Sequence, residues 1–260
     1  MKSIVLKMLF FIIVLYAGVN YLLYSTQESK IFLTKYIKEC NLSSAKLVHF
    51  RTSDNINLEG AYFEHKKGAP LVLYFGGNAE DVKCFIQNVS SKIDGYNFIA
   101  FNYLGYAKSE GKPSEEKILQ YALELYKKYH PDIVAGRSLG SAVAIYVASK
   151  EPIEKLLLIT PIDSIENIAK SKFPYLPISL ILKHKFQAIK WVESIQAKVA
   201  LLLVENENVV PRESVENILN ATSNIVFKKV IKGANHKNIY EVENTISAIK
   251  EALKALKEQK

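Results

Sequence analysis

Residues 132–148 of this 260-residue chain read DIVAGRSLGSAVAIYVA, a G-x-S-x-G pattern between a short apolar run and an Ala/Val-rich helical stretch. A strand that turns sharply into a helix strains its turn residue and projects that side chain above the sheet. Gly136 and Gly140 lack the Cβ atoms that would collide at such a turn. Ser138 would then lie at a helix N-terminus, where backbone N–H groups favour a developing anion. The pattern predicts a nucleophile elbow, and the alternative is a tight turn with a structural serine.

The chain around this pattern alternates apolar runs with helical stretches. The runs are apolar without interruption, as strands are when both faces of a sheet are covered. This alternation predicts an α/β fold, a mostly parallel sheet with helices on both faces. Residues 161–195 are longer than a crossover helix needs, so we predict that they form a short cap. The predicted strands cover residues 46–52, 56–65, 70–75, 97–103, 132–135, 155–160, 199–204 and 225–231, and the clearest helices cover 81–93, 114–129 and 239–257.

The N-terminal stretch is apolar for the length of a membrane span. Residues 4–24 read IVLKMLFFIIVLYAGVNYLLY, and about 20 apolar residues cross the hydrocarbon core of a bilayer. The stretch is apolar on all sides, unlike a helix packed on a core, and bulky residues follow it where signal cleavage needs small ones. We predict an uncleaved single-pass anchor in membrane lipid over residues 1–25 and a folded domain over 26–260. Lysines flank the span on both sides, so the positive-inside rule gives no orientation.

Charge and cysteine content narrow the class of partner. The net charge is +8, but only three of the 34 basic residues are arginine and the lysines are scattered along the chain. Nucleic-acid binders cluster basic residues and favour arginine, so we predict no nucleic-acid partner.

Cys40 and Cys84 have no metal-site spacing and are too few for a disulfide framework, which predicts two unpaired thiols in or near the core.

A general base, an oxyanion hole and an acid complete a serine-nucleophile site. His236 follows the last predicted strand, where an imidazole can reach back over the elbow as general base. The predicted oxyanion-hole donors are two backbone N–H groups. One belongs to Leu139, just after the serine, and the other to Asn78, which follows two glycines after strand 70–75. The acid that orients the imidazole should follow strand 199–204, where Glu205 and Glu207 are the candidates, or else strand 155–160, where the candidate is Asp163.

Six motifs, taken together, resemble one protein family. They are Gln27 with Ile31-Phe32, YFGGNA at 74–79, NYLGYAKSEG at 102–111, GRSLGS at 136–141, VVP at 209–211 and GANHKNI at 233–239. In this combination the chain resembles membrane-anchored α/β-hydrolase-domain proteins of the bud-emergence (Bem46-like) type, related to serine-aminopeptidase-like hydrolases. The resemblance covers about residue 27 to the C-terminus.

The resemblance implies a function and a choice of acid. It implies the α/β-hydrolase fold and a serine hydrolase that cleaves an ester, thioester or amide through an acyl-enzyme, with no metal or organic cofactor. Relatives that remove palmitoyl groups from proteins imply an acylated or other small-molecule substrate near a membrane. The family has aspartate four residues before Pro211, which favours Glu207 as the acid. Glutamate moves the carboxylate by about 1.5 Å, so an inactive membrane-tethered binding protein is the alternative.

Overall fold

The core of the protein is an eight-stranded sheet, as seen in the computed structural model, which describes residues 2–258. The strand order is β1-β2-β4-β3-β5-β6-β7-β8. β1 and β2 pair antiparallel with each other, β2 pairs antiparallel with β4, and all other neighbours are parallel. The prediction of a mostly parallel sheet is therefore confirmed. The strands are β1 (Lys46–Arg51), β2 (Asn57–Phe63), β3 (Leu71–Phe75), β4 (Asn97–Phe101), β5 (Ile133–Arg137), β6 (Lys155–Ile159), β7 (Lys198–Asn206) and β8 (Ile225–Asn235).

Helices cover both faces of this sheet and bury its apolar strands. One face packs against α3, α4, α7 and α8, and the other packs against α2 and α9. Ser114 caps α3 by accepting a hydrogen bond from the Lys117 N–H. The helices are α1 (Lys2–Ile31), α2 (Val82–Asn88), α3 (Glu115–Tyr129), α4 (Leu139–Lys150), α5 (Ile165–Lys172), α6 (Ile178–Ile181), α7 (Ile189–Val192), α8 (Arg212–Ala221) and α9 (Asn244–Glu258).

The sheet has one topological switch point, and it lies at β3. The chain continues from β3 to its neighbour β4 on one side and then returns to β5 on the other side. In open α/β sheets, ligands bind at the carboxyl ends of the strands where the order reverses. The loop after β3 and the elbow after β5 therefore face one crevice, and the loops after β7 and β8 open at the same edge.

The N-terminal helix α1 is one continuous helix of 30 residues, about 45 Å long. Its most apolar 18-residue window has a mean hydropathy of 2.0, and none of its residues is buried. By length and composition α1 can cross a membrane. The helix continues past the predicted anchor boundary at residue 25, and its last residue, Ile31, is buried with Phe32 in the core of the domain. The anchor segment and the domain thus meet without a flexible linker.

The predicted cap region contains the short helices α5, α6 and α7. Ile178 and Phe186 are buried and fix this region to the domain. Three of its apolar side chains point outward instead, since Phe173 is 45% exposed, Tyr175 90% and Leu180 85%. An exposed apolar rim of this kind is unusual for a surface surrounded by water.

The two cysteines form a disulfide, so the prediction of unpaired thiols is wrong. Cys40 lies in the segment that follows α1 along the chain, Cys84 lies in α2, and their Cα atoms are 5.2 Å apart. Asp81, the N-cap of α2, also accepts a hydrogen bond from the Cys40 N–H and holds the same segment. The pairing depends on bringing together two segments 44 residues apart, and no local sequence pattern records that proximity.

We expect Cys84→Ser to destabilise the domain by about 2–4 kcal/mol, because the bond closes a 44-residue loop in the unfolded chain. For a chain of this size the melting temperature should fall by about 5–15 °C. Thermal unfolding of the full chain in detergent measures the change. A reductant should lower the melting temperature of the wild type and leave the Cys40→Ser/Cys84→Ser double variant unchanged. An equal response of both proteins would contradict the prediction.

Candidate active site

The elbow places Ser138 in a strained backbone conformation between β5 and α4. Its φ of 50° and ψ of −117° lie outside the regions that side-chain-bearing residues favour, at a cost of about 1–3 kcal/mol. Close backbone contacts make both glycines necessary, at Gly140 with the end of β3 and at Gly136 within the turn itself. A Cβ on Gly140 would lie 2.0 Å from the Phe75 carbonyl oxygen, and one on Gly136 would lie 2.1 Å from the Gly140 oxygen. The Ser141 hydroxyl supports the turn by donating to the Ser138 carbonyl oxygen at 2.5 Å.

Three of the predicted site residues meet at the carboxyl edge of the sheet. The Nε2 atom of His236 lies 2.8 Å from the Ser138 Oγ. The Nδ1 atom of the same ring lies 2.9 Å from Oε2 of Glu207. The imidazole is buried, with 7% of its side chain exposed, whereas the carboxylate is 17% exposed. This relay can take a proton from the hydroxyl and stabilise the resulting imidazolium.

The second carboxylate oxygen of Glu207 fixes the acid in place. Its Oε1 accepts hydrogen bonds from the backbone N–H groups of Val209 at 2.8 Å and Val210 at 3.0 Å. Burial alone would raise the pKa of Glu207, but the hydrogen bond from His236 and these two N–H groups outweigh it and lower that pKa. The group is therefore a carboxylate at neutral pH.

The two other candidate acids have different partners. Asp163 is fully buried and accepts hydrogen bonds from Ser214 at 2.5 Å, from Asn167 at 2.8 Å and from Asn217 at 2.9 Å, which join the cap to α8. Glu205 accepts from the Gly233 N–H at 2.8 Å and ties β7 to β8. Over residues 2–258, neither carboxylate contacts the His236 ring.

The two predicted oxyanion donors lie beside the serine and line the same cavity. Leu139 is the first residue of α4, so its N–H has no carbonyl partner within the helix. The backbone N–H of Asn78 likewise has no hydrogen-bond partner in the described part of the chain. Two free N–H groups beside a nucleophile can stabilise an oxyanion.

A buried ion pair under the site was not predicted from the sequence. Nη1 of Arg137 lies 2.9 Å from Oε2 of Glu80, and Nη2 donates to the His236 carbonyl oxygen at 2.6 Å. The same Glu80 carboxylate accepts from the Gly77 N–H and the Tyr74 hydroxyl, each at 2.8 Å. One charged pair therefore joins the elbow, the glycine loop and the histidine loop.

The surroundings of Arg137 keep its guanidinium charged. Burial alone would lower the pKa of Arg137, but the adjacent carboxylate outweighs it and raises that pKa. The guanidinium also lies 5.1 Å from the centroid of the Tyr240 ring, within the range of a cation–π contact. Position 137 is a variable residue of the G-x-S-x-G pattern, and Glu80 belongs to no motif. The sequence therefore gave no indication that these two residues form an ion pair.

A cavity of about 760 Å³ opens beside Ser138 and His236. Apolar side chains from α1, the cap and the loop after β7 form most of its walls. In residues 2–258 no group of three His, Cys, Asp or Glu side chains is placed to hold a metal ion. The apolar lining residues are Leu23, Ile31, Leu33, Tyr36, Ala79, Leu139, Ile162, Ile165, Ile168, Ala169, Phe173, Ile178, Ile181, Leu182, Val209 and Val210.

Known proteins similar to this chain share parts of its sequence. The uncharacterized protein Rv2307c of Mycobacterium tuberculosis is 29% identical over 206 residues, 75% of this chain and 73% of that protein. Protein bem46 of Schizosaccharomyces pombe is 32% identical over 53% of this chain and 51% of its own. Lysophosphatidylserine lipase ABHD12 of Danio rerio is 29% identical over 55% and 44%. The chain thus spans about half the length of the last two. The resemblance to Bem46-like proteins is confirmed, while no family model matches the chain.

Solved structures share the fold. The Pyrococcus furiosus esterase Pf2001 has a TM-score of 0.61 and 20% identity, over 84% of this chain and 95% of that chain. The α/β hydrolase GrgF from Penicillium sp. sh18 has a TM-score of 0.62 and 15% identity, over 82% and 98%. The predicted α/β-hydrolase fold is confirmed.

We expect the Arg137–Glu80 pair to behave as one unit in stability. Removing one partner of a buried pair leaves an uncompensated charge, so Arg137→Met and Glu80→Gln should each cost about 3–5 kcal/mol. The double variant should cost clearly less than the sum of the two. Chemical unfolding of the four proteins in detergent completes the double-mutant cycle. Additive losses would show that the two side chains act independently.

Proposed function

We propose that this chain, a Bem46-like α/β hydrolase, is a membrane-anchored serine hydrolase that cleaves an acyl ester or thioester. The observation that carries the proposal is the pair of distances around His236, 2.8 Å to the Ser138 hydroxyl and 2.9 Å to the Glu207 carboxylate. A chance arrangement of three polar groups does not supply the strained serine, the buried imidazole and the ionised acid together.

Acylation begins at the serine hydroxyl. The Ser138 Oγ attacks the substrate carbonyl carbon while His236 Nε2 takes the hydroxyl proton. The Glu207 carboxylate accepts the Nδ1–H and stabilises the imidazolium. Its lowered pKa supports this role, because only the ionised carboxylate carries the negative charge that stabilises the imidazolium.

The backbone amides act on the charge that develops next. The N–H groups of Asn78 and Leu139 hold the oxyanion of the tetrahedral intermediate. His236 then gives its proton to the leaving alcohol or thiol, and the carbonyl re-forms as an acyl-Ser138 ester. Water, deprotonated by the same imidazole, attacks this ester; the bond from the acyl carbon to Ser138 Oγ then breaks, His236 returns the proton to Oγ, and the acid is released. No step of this sequence calls for a metal or an organic cofactor.

The apolar cavity favours an acyl group as the part of the substrate that is recognised. Each CH₂ group removed from water contributes about 0.8 kcal/mol, so a cavity of about 760 Å³ with apolar walls can bind a long chain. ABHD12 is a lysophosphatidylserine lipase and Pf2001 is an esterase, which agrees with ester chemistry on a lipid. An amide or peptide substrate has no comparable support.

Two features support a location at an oxidising membrane face. The exposed apolar residues of α1 suit the interior of a bilayer. The Cys40–Cys84 disulfide persists on the oxidising side of a membrane and is rare on the reducing side. We therefore place the catalytic domain on the oxidising face, the choice that the flanking lysines left open.

We expect a fluorophosphonate probe to label the wild type at Ser138 and Ser138→Ala to lose all labelling. The reason is that the probe traps only a serine activated by an adjacent base. Labelling of the full chain in detergent, located by peptide mass, measures the site. A melting temperature close to the wild type would show that the variant is folded. An unlabelled wild type would favour an inactive binding protein.

We expect Glu207→Gln to lower kcat by about 10⁴-fold, because an amide holds the imidazole in the wrong tautomer. Glu205→Gln is the matched control, since it makes the same chemical change two residues away without contact to His236. It should leave kcat within about twofold, as most surface changes do. Steady-state hydrolysis of p-nitrophenyl esters measures all three proteins. A larger loss in Asp163→Asn than in Glu207→Gln would move the acid to the loop after β6.

A further inference from the structure

The last turns of α1 are held by the cap. Gln27 is only 6% exposed, and both ends of its amide are used. Its Nε2 donates to the Ile181 carbonyl oxygen at 3.0 Å, and its Oε1 accepts from the Lys183 N–H at 2.7 Å. A buried amide that loses these partners would pay a desolvation cost of about 1–3 kcal/mol. The helix is thereby fixed against α6 and the segment after it.

The same end of α1 is also held by the oxyanion loop. Nδ2 of Asn78 donates to the Ile31 carbonyl oxygen at 2.6 Å, and its Oδ1 accepts from the Leu33 N–H at 3.0 Å. The Phe32 ring, 2% exposed, packs edge-on against Phe186 of the cap region. A helix that served only as a tether would need none of these contacts.

The cavity at the candidate active site lies between this helix and the cap. Leu23 and Ile31 line it from α1, while Ile178 and Ile181 line it from α6. Ser138 borders the same space. Leu23 and Ile31 are eight residues apart, so the α1 side of the cavity is about 12 Å long.

One end of the cavity reaches the part of α1 suited to a bilayer. Leu23 belongs to the apolar stretch 4–24. The outward-facing cap residue Tyr175 lies on this side as well, because the Tyr16 hydroxyl of α1 donates to the Tyr175 carbonyl oxygen at 3.1 Å. The exposed rim of the cap at Tyr175 therefore adjoins the apolar part of α1.

We propose that α1 is one wall of the substrate site, and that an acyl chain passes from the bilayer to Ser138 between α1 and the cap. The acyl chain lies against Leu23 and Ile31 and does not cross water. Its burial in the bilayer is therefore exchanged directly for burial in the cavity. This inference rests on the proposed function and adds the N-terminal helix to the substrate-binding residues.

The test compares two tryptophans on neighbouring positions of α1. Leu23 lines the cavity, whereas Leu22 is 61% exposed and does not. The full chain in lipid nanodiscs is labelled with fluorophosphonates that carry an ethyl or a dodecyl group. Leu23→Trp should lower the dodecyl-to-ethyl ratio of labelling rates at Ser138 at least about tenfold, the loss of two buried CH₂ groups. Leu22→Trp should leave that ratio at the wild-type value.

Two results separate this inference from the function on which it rests. If Leu23→Trp leaves the ratio unchanged while Ser138 is still labelled, the inference that α1 lines the substrate site is wrong, and the proposed hydrolase function still stands. A wild type that neither probe labels would overturn the hydrolase. In that case a diazirine-bearing fatty acid, photo-crosslinked to the full chain, still tests the wall. Crosslinks on residues 23–31 that Leu23→Trp removes support it, and crosslinks confined to the cap overturn it.

Discussion

The backbone of Ser138 is the constraint on which the rest of the site depends. A side-chain-bearing residue at φ 50° is stable only where its surroundings leave no alternative. Here the turn is pressed against the end of β3, so closely that any side chain at position 140 would overlap the Phe75 carbonyl. The parallel pairing of β5 with β3 and β6 sets that closeness. The sheet therefore holds the serine above its edge, and the strain is offset by packing elsewhere.

Because the serine is fixed, the groups that face it must be fixed as well. The Arg137–Glu80 pair holds the histidine loop and the glycine loop in place, since its hydrogen bonds reach the His236 carbonyl and the Gly77 N–H. Asn78 holds the oxyanion loop in place, through the two bonds of its amide to the end of α1. The groups that would carry out catalysis are thus attached to polar residues that are largely shielded from water and that each hydrogen-bond to more than one partner. A displaced charge in such a network is costly, which keeps the loops in register.

The sequence predicted the features that local patterns encode. Apolar runs marked the six later strands, a turn between residues 52 and 56 marked the first two, and the glycines at 136 and 140 marked the turn that holds Ser138. What it missed depends on contacts between distant segments. Cys40 and Cys84 pair only because the segment behind α1 folds onto α2. The role of Arg137 depends on Glu80, 57 residues earlier in the chain, and on a carbonyl group 99 residues later. The role of Glu207 was chosen by resemblance, whereas its contact with His236 is a property of the packed sheet.

Under the proposed function, the unbroken passage of α1 into the domain also determines which substrate concentration sets the rate. With no linker between residue 25 and the buried Phe32, a membrane that held α1 would also hold the domain close to its surface. Under the proposed function, encounters with substrate then take place in two dimensions, within the plane of the lipid. The rate would follow the mole fraction of substrate among its lipid neighbours, and diluting the membranes in buffer at fixed composition would leave it unchanged. Turnover of this kind is governed by surface density, as in a reaction confined to an interface.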